Sequence, residues 1–296
     1  MSVEKNNYHP EISIIIPTYN RSEMLCRAVR SALGQSFTDF ECLIVNDGST
    51  DDTKQTLETF TDSRIKVLFQ ENKGVSAARN LAIKESTGKY IALLDSDDEW
   101  LPKKLEMQLA FMKSENLDIS QTNEIWVRND KRVNQSKKYA KPSGMFFDRS
   151  LETCLISPSC VIFNKKFWDS VGPFDEYMPA CEDYDLWIRS GFKFPVGLLE
   201  DKLTIKYGGR PDQLTNSVAC FDLYRIYSII KLLHCNELSP VELDLAKEEL
   251  QRKAGYFVGG CKKRGKFEQA EKVEQMVKNV LEGQVVNPVD ILPVQE

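Results

Sequence analysis

Histidine is nearly absent. The two in the chain, His9 and His234, are too few and too far apart for a histidine metal centre or a His-containing catalytic triad. Eight cysteines (Cys26, Cys42, Cys154, Cys160, Cys181, Cys220, Cys235 and Cys261) include no CxxC pair, which argues against a zinc site and against a disulfide framework. They read as buried, reduced thiols of a cytoplasmic protein. No apolar run approaches the roughly 20 residues that cross a bilayer, and "MSVEKNNYHPE" lacks the apolar stretch of a signal peptide. Basic charge is not in excess either: 39 Lys and Arg face 44 Asp and Glu, a net charge of −5, which argues against a nucleic-acid partner. What remains, 42% hydrophobic and 28% charged over 296 residues, is a soluble globular chain with room for one large domain and an appendage.

The first hundred residues alternate strand-like and helix-like segments. "ISIII" (12–16), "ECLIVND" (41–47), "RIKVLF" (64–69) and "KYIALLD" (89–95) read as strands. Between them lie a helix that Ser22 would cap, with Leu25, Val29, Ala32 and Leu33 on one face, and helices at about 52–60 and 74–86. Such alternation implies a parallel sheet covered by helices, whose ligands bind beyond the carboxyl ends of the strands. "PTYNRS", "NDGST" and "DSDDEW" each follow a strand and should converge there. Residues 115–150 are harder to read; "RNDKRVNQSKKYAKPSG" is polar and basic and is expected to be a loop. A short helix is expected over Glu182–Ser190, ended by Gly191.

"YIALLDSDDEW" (90–100) ends an apolar strand on Asp95, Asp97, Asp98 and Glu99. Carboxylates so crowded repel, so a cation is expected among them. Asp95 and Asp97, two apart on an ending strand, can point to one side and suit Mg²⁺ or Mn²⁺, with a diphosphate supplying the missing ligands. A lone DxD is more often a solvated turn; the apolar strand and the converging loops favour the metal. Asp47, in "VNDGST", can accept from an imide N–H such as that of uracil, or can cap a helix. Tyr19 can stack on a base, or simply pack.

Together, "SIIIPTYNRSEMLCRAVRSALGQSF", "ECLIVNDGSTDDT", "ENKGVSAARNLAIKESTGKYIALLDSDDEWLPKKL" and "PACEDYDLWIRS" resemble the inverting family 2 glycosyltransferases, over residues 11 to about 212. The resemblance implies a GT-A, Rossmann-like α/β fold with a mostly parallel sheet, a nucleotide-sugar donor (a UDP-sugar foremost), and a glycan or glycolipid acceptor in surface polysaccharide assembly. It also implies a divalent metal and inversion at the anomeric carbon. On this sequence the donor site would comprise Pro17, Thr18, Tyr19 and Asn20 of "PTYN", together with Asp47, Arg79, Asp95, Ser96 and Asp97, with Asp97 on the metal and Asp95 facing the ribose or supporting the metal site. For Arg79, a structural salt bridge is a comparable reading. The "ED" pair supplies a general base, Asp183 first and Glu182 second. A carboxylate at a helix start is stabilised as the anion, which weakens it as a base without excluding the role.

Two departures from the family pattern stand out. The loop after the base helix, "KYGGRPDQLT", has no histidine, so Lys206 or Arg210 would clamp the diphosphate and a metal ligand from 204–213 is in doubt. The usual "DDGS" begins here with Asn46. A non-catalytic nucleotide-sugar-binding subunit on the same fold is the rival reading, disfavoured by intact DSD and ED motifs. Nucleotidyl transfer would need a glycine-rich basic loop that "PTYNRSEM" lacks. The expected organisation is an N-terminal tail (1–10), a catalytic domain (11–212, divided at 100), a C-terminal helical region (213–285) and a tail (286–296). The stripe Leu223, Ile226, Ile230, Leu233 is expected to pack on the catalytic domain; a homodimer or a peripheral contact with the inner face of the membrane, helped by "CKKRGK", is the alternative.

Overall fold

The computed structural model describes residues 9–210, 213 and 221–293. Most of the N-terminal tail, much of "PDQLT", the approach to the C-terminal helices and the last three residues lie outside them. By its contacts the chain forms two compact units: one holds the chain up to Lys141, Ile156–Pro173 and Val196–Gly209, the other Pro142–Leu155, Phe174–Pro195 and the chain from Arg210 onward. Segments 142–155 and 174–195, expected with the catalytic domain, thus group with the C-terminal helices.

The first unit is built on one sheet. β1 (Ile12–Thr18), β2 (Phe40–Asp47), β3 (Ile65–Gln70) and β4 (Tyr90–Leu93) are joined by α1 (Ser22–Leu33), α2 (Thr53–Glu58) and α3 (Gly74–Glu85). Beyond them come β5 (Glu99–Trp100), α4 (Lys104–Ser114), β6 (Ile119–Arg128), β7 (Lys131–Val133), β8 (Val161–Asn164), α6 (Lys165–Val171) and β9 (Gly197–Gly208), while α5 (Phe147–Glu152) belongs to the other unit. The strand order is β3-β2-β1-β4-β8-β6-β9-β5, with β7 paired to β6. The sheet is parallel across β3-β2-β1-β4 and mixed beyond, where β8 runs antiparallel to β4 and β6 while β9 runs parallel to β6.

β1 is buried along its whole length, as "ISIII" predicts for a strand covered on both faces. Leu25, Ala28, Val29 and Ala32 of α1 join Ile14, Ile16, Ile44 and Leu105 in one core. Thr18 lies beside Asn46, and Ile15 beside Leu93, so the chain leaves β1, β2 and β4 at a common edge of the sheet. Since β2 and β4 flank β1, that edge is the topological switch point.

Two local expectations are corrected. Ser22 does not cap α1: it is the first helical residue, and its N–H donates to Asp51 Oδ2 at 3.4 Å. "RNDKRV" is a hairpin rather than a loop, because Asn129 and Asp130 take φ of 48° and 58°, the left-handed pair of a type I′ turn, and return the chain as β7.

The second unit gathers α5 (Phe147–Glu152), α7 (Glu182–Ser190), α8 (Phe221–Leu233), α9 (Pro240–Lys263) and α10 (Phe267–Leu281). α8 is buried almost all round, and Leu223, Ile226 and Ile230 pack with Phe147, Leu151, Tyr184, Ile188 and Val258. The expected apolar stripe is thus consumed inside this unit. α9 starts at a capping box, with Ser239 Oγ accepting from the Glu242 N–H and Glu242 Oε2 accepting from the Ser239 N–H. Among the described residues no helix is long and apolar enough to cross a membrane.

Candidate functional site

The loops after β1 and β2 are laced together. Asn20 takes a φ of 50°, and its Oδ1 accepts from the Thr50 N–H at 2.8 Å and the Asp51 N–H at 3.3 Å, while its own N–H donates to Ser49 Oγ at 3.0 Å. Asn46, where the family pattern has an acid, accepts from the Ser49 N–H at 2.9 Å and closes the turn. Gly48 has a φ of +73°, and a Cβ there would lie 2.7 Å from the Asn72 nitrogen. That close approach brings residues 70–74 against Asp47. The buried Asp47 carboxylate then accepts from Gln70 Nε2 at 2.6 Å and from the backbone N–H groups of Lys73 and Gly74 at 2.9 Å each. Asp47 closes the start of α3, not the helix that follows it in sequence. A carboxylate offers about four lone-pair sites, so one remains for an imide N–H. Pro17 and Thr18 are buried at the end of β1, whereas Tyr19 is 42% exposed.

The acidic loop answers its own charge. Arg79, buried on α3, pairs with Asp95 at 2.7 Å. Arg21 stands 3.6 Å from Asp97. Arg27 donates to the Asp97 carbonyl at 2.9 Å, lies 3.9 Å from Glu99, and sits over the Tyr207 ring, whose hydroxyl donates to Glu99 at 2.7 Å. Burial pushes the Asp98 carboxyl up to about 8 against the pull of Lys206, and Asp97 and Asp95 add to the rise. Burial opposes the charge on Lys206, but Asp98, Glu124 and Asp95 outweigh it and raise its pKa. Four of the chain's own cations, Arg79, Arg21, Arg27 and Lys206, thus stand among the carboxylates of this loop.

Sequence reading missed Ser159, in "CLISPSC". Its Oγ accepts from the Asp95 N–H at 3.0 Å and donates to the Asp98 carboxylate at 2.6 Å. Its carbonyl accepts from Trp100 Nε1 at 2.7 Å and from Thr204 Oγ1 at 3.1 Å. Ser96, buried, sits in the turn closed by the Asp98 N–H to the Asp95 carbonyl at 3.0 Å. Nothing in the type or spacing of a lone serine signals such a role.

The side chains of Asp95 and Asp97 are 26% and 21% exposed. Two hard oxygen donors at that exposure suit a divalent cation completed by phosphate oxygens, the usual arrangement for Mg²⁺. Among the described residues no cluster of three His, Cys, Asp or Glu could enclose a cation without such a ligand.

In the second unit, Glu182 and Asp183 open α7, with Glu182 buried and Asp183 half-buried. The preceding Cys181 takes a φ of 63°, a sharp entry into the helix. α7 is braced from α8: Lys231 bridges Asp185 at 3.0 Å and Asp175, while Arg189 pairs with Asp185 at 2.9 Å. Asp183 Oδ2 accepts from the Cys154 thiol at 3.2 Å, and Oδ1 from the Tyr184 N–H at 2.7 Å. Arg210 belongs to this unit and is half-buried. The first unit therefore brings together Pro17–Asn20, Asp47, Arg79 and Asp95–Asp97, and the second holds Glu182, Asp183 and Arg210.

A sequence profile described as Glycosyl transferase family 2 matches residues 13–171. The chain is 38% identical over 201 residues to an uncharacterized glycosyltransferase of Rickettsia conorii, a match covering 66% of this chain and 32% of that protein. It spans about a third of the length of that relative. Over 178 residues it is 35% identical to the Escherichia coli UDP-Glc:alpha-D-GlcNAc-diphosphoundecaprenol beta-1,3-glucosyltransferase WfgD, covering 60% of this chain and 68% of that one. The crystal structure of S. aureus TarS 1-349 in complex with UDP-GlcNAc is similar in fold, with a TM-score of 0.70 at 19% identity over 94% of this chain and 93% of that one.

Proposed function

Because the chain belongs to glycosyl transferase family 2 and takes the GT-A α/β fold, we propose that it moves a hexose from a UDP-sugar to a glycan or glycolipid acceptor in polysaccharide assembly, with inversion at the anomeric carbon. The observation that carries this reading is the common sheet edge where Asp47 ends β2 and where Tyr19 and Asp95–Asp97 follow β1 and β4. The WfgD name, with its UDP-glucose donor and diphospholipid-linked acceptor, supports the substrate class. The TarS complex supports a UDP-sugar as donor.

Tyr19 stacks on the uracil, and the remaining lone pair of Asp47 accepts its imide N–H. Arg79 holds Asp95 in place, and Asp97 exchanges Arg21 for ligand. Asp97 and Asp95 would hold Mg²⁺ or Mn²⁺, whose charge offsets that growing on the departing diphosphate. Arg210 adds a clamp on the phosphates. Asp183 accepts the proton of the acceptor hydroxyl as its oxygen bonds to the anomeric carbon, and the sugar–phosphate bond breaks with its electron pair leaving on UDP. Glu182 stands second for that role. The setting is the cytoplasm, at the inner face of the membrane where a lipid-linked acceptor would be met.

Replacing Asp183 by Asn tests the assignment. Transfer to a GlcNAc-diphospholipid acceptor, assayed with UDP-glucose and UDP-N-acetylglucosamine, is lost while UDP binding by calorimetry stays within about twofold. Transfer at the parental rate would move the base elsewhere.

A further inference from the structure

The thiol on Asp183 comes from a segment that is itself pinned. Cys154 lies two residues after α5. Tyr184 Oη donates to the Leu151 carbonyl at 2.7 Å. Lys253 Nζ, buried on α9, donates to the Glu152 carbonyl at 3.0 Å and pairs with Glu249 at 2.8 Å. Phe147 and Leu151 fix the other side of α5 in the apolar cluster with Tyr184 and Ile188. Burial pushes the Tyr184 phenol well above its usual range, so its proton stays in place to donate. Donors from two helices thus hold the residues just before Cys154, and the sulfur is delivered to Asp183 from a fixed backbone.

The two oxygens of Asp183 are treated differently. Oδ1 is held by the helix's own Tyr184 N–H. Oδ2 is held only in part: a thiol is a weak donor and occupies one of the two lone-pair sites on that oxygen. A cationic donor there would stabilise the anion and blunt it as a proton acceptor, which a neutral thiol or hydroxyl does far less. A weak one sets the angle of the carboxylate and leaves the second lone pair of Oδ2 for an incoming hydroxyl.

We propose that Cys154 is a positioning residue for Asp183, fixing the rotation of its carboxylate so that Oδ2 faces the acceptor hydroxyl. This rests on Asp183 being the base. The C-terminal helices gain a function by it, since Lys253 holds the backbone that carries the thiol.

Cys154→Ala and Cys154→Ser, set beside Asp183→Asn, test the proposal with UDP-glucose or UDP-N-acetylglucosamine, whichever the parent turns over faster. Cys154→Ala is expected to lower kcat about 10- to 100-fold, the scale of a misplaced reacting group, with KM for the donor within twofold. Cys154→Ser keeps a donor and is expected to recover kcat to within a few-fold of the parent. A purely structural role would lower thermal stability in both variants without separating kcat from KM or favouring serine. A parental kcat in Cys154→Ala, or equal loss in both variants, overturns the proposal. If Asp183→Asn is inactive and Cys154→Ala is not, the positioning role alone falls; if Asp183→Asn keeps the parental rate, the base assignment falls first. A readout free of turnover comes from iodoacetamide: a carboxylate beside a thiol disfavours the thiolate, so Cys154 should be alkylated several-fold faster in Asp183→Asn. An unchanged rate would show that the two side chains do not meet in solution.

Discussion

Arg79 and Asp95 meet at 2.7 Å, with the guanidinium side chain 3% exposed and the carboxylate 26%. The pair ties α3 to the acidic loop, so a helix whose start is closed by Asp47 also holds the loop that follows β4. Two of the three site loops are therefore fastened to one helix.

Arg79→Ala removes that tie and leaves Asp95 without its nearest counter-charge. The expected loss is about 1–3 kcal/mol, below the figure for a fully buried pair because the carboxylate reaches solvent. Urea unfolding measures it, and calorimetry should show UDP binding weakened more than tenfold. Arg79→Lys should recover part of the stability but little of the binding, since a lysine lacks the planar fork.

Asp97 predicts the opposite balance. Its contact with Arg21 is long, at 3.6 Å, between two partly buried side chains, so Asp97→Asn should change unfolding free energy by no more than ~1 kcal/mol. In a thermal-shift experiment, UDP with Mn²⁺ should raise the parental midpoint more than UDP alone, and the variant should lose that increment. An undiminished increment would take Asp97 out of the metal site.

Gly48→Ala combines a left-handed φ of +73° with a Cβ placed 2.7 Å from the Asn72 nitrogen. A destabilisation of about 1–3 kcal/mol is expected. Because residues 70–74 must retreat, the bonds to Asp47 weaken as well, and UDP affinity should fall with stability. A variant as stable as the parent would show that the loop yields without cost.

Glu124 gives the first unit an acid limit. Burial works to raise its carboxyl, but Lys141 at 3.4 Å, Lys206, and hydrogen bonds from Cys160 and Trp126 overcome it and hold the group at about 2, below its ordinary 4.5. A folded-state pKa depressed in this way contributes stability that is fully present above the unfolded value and is lost as pH falls from about 4.5 towards 2. Glu124→Gln should be less stable at pH 7 by about 2–3 kcal/mol and should lose less on acidification. Denaturant unfolding at pH 3, 4, 5 and 7 would reveal a slope that does not change, if the pair contributes nothing.

The alternation of buried runs and amphipathic stretches was enough to read β1 to β4 and the helices between them. Each of those elements is specified by residues near one another, "ISIII" by β-branching and α1 by the spacing of Leu25, Val29 and Ala32. The β6–β7 hairpin was not legible: its strands are polar at their outer ends, and the only cue is Asn129-Asp130, which a charged surface loop would also carry. Ser22 looked like a cap because Asp51, which receives its N–H, is 29 residues away.

The residue types of the site were legible, and their partners were not. From "DSDDEW" the sequence specified an acidic loop at a strand end, because backbone and side-chain periodicity are local properties. That Arg79, Arg21, Arg27 and Lys206 would come to neutralise it, that Asp47 would close α3 rather than α2, and that Ser159 and Cys154 would donate to distant carboxylates was decided by the packed chain alone. Charge and hydrogen bonding act through space over a few ångströms, and only folding determines which remote residues come that close.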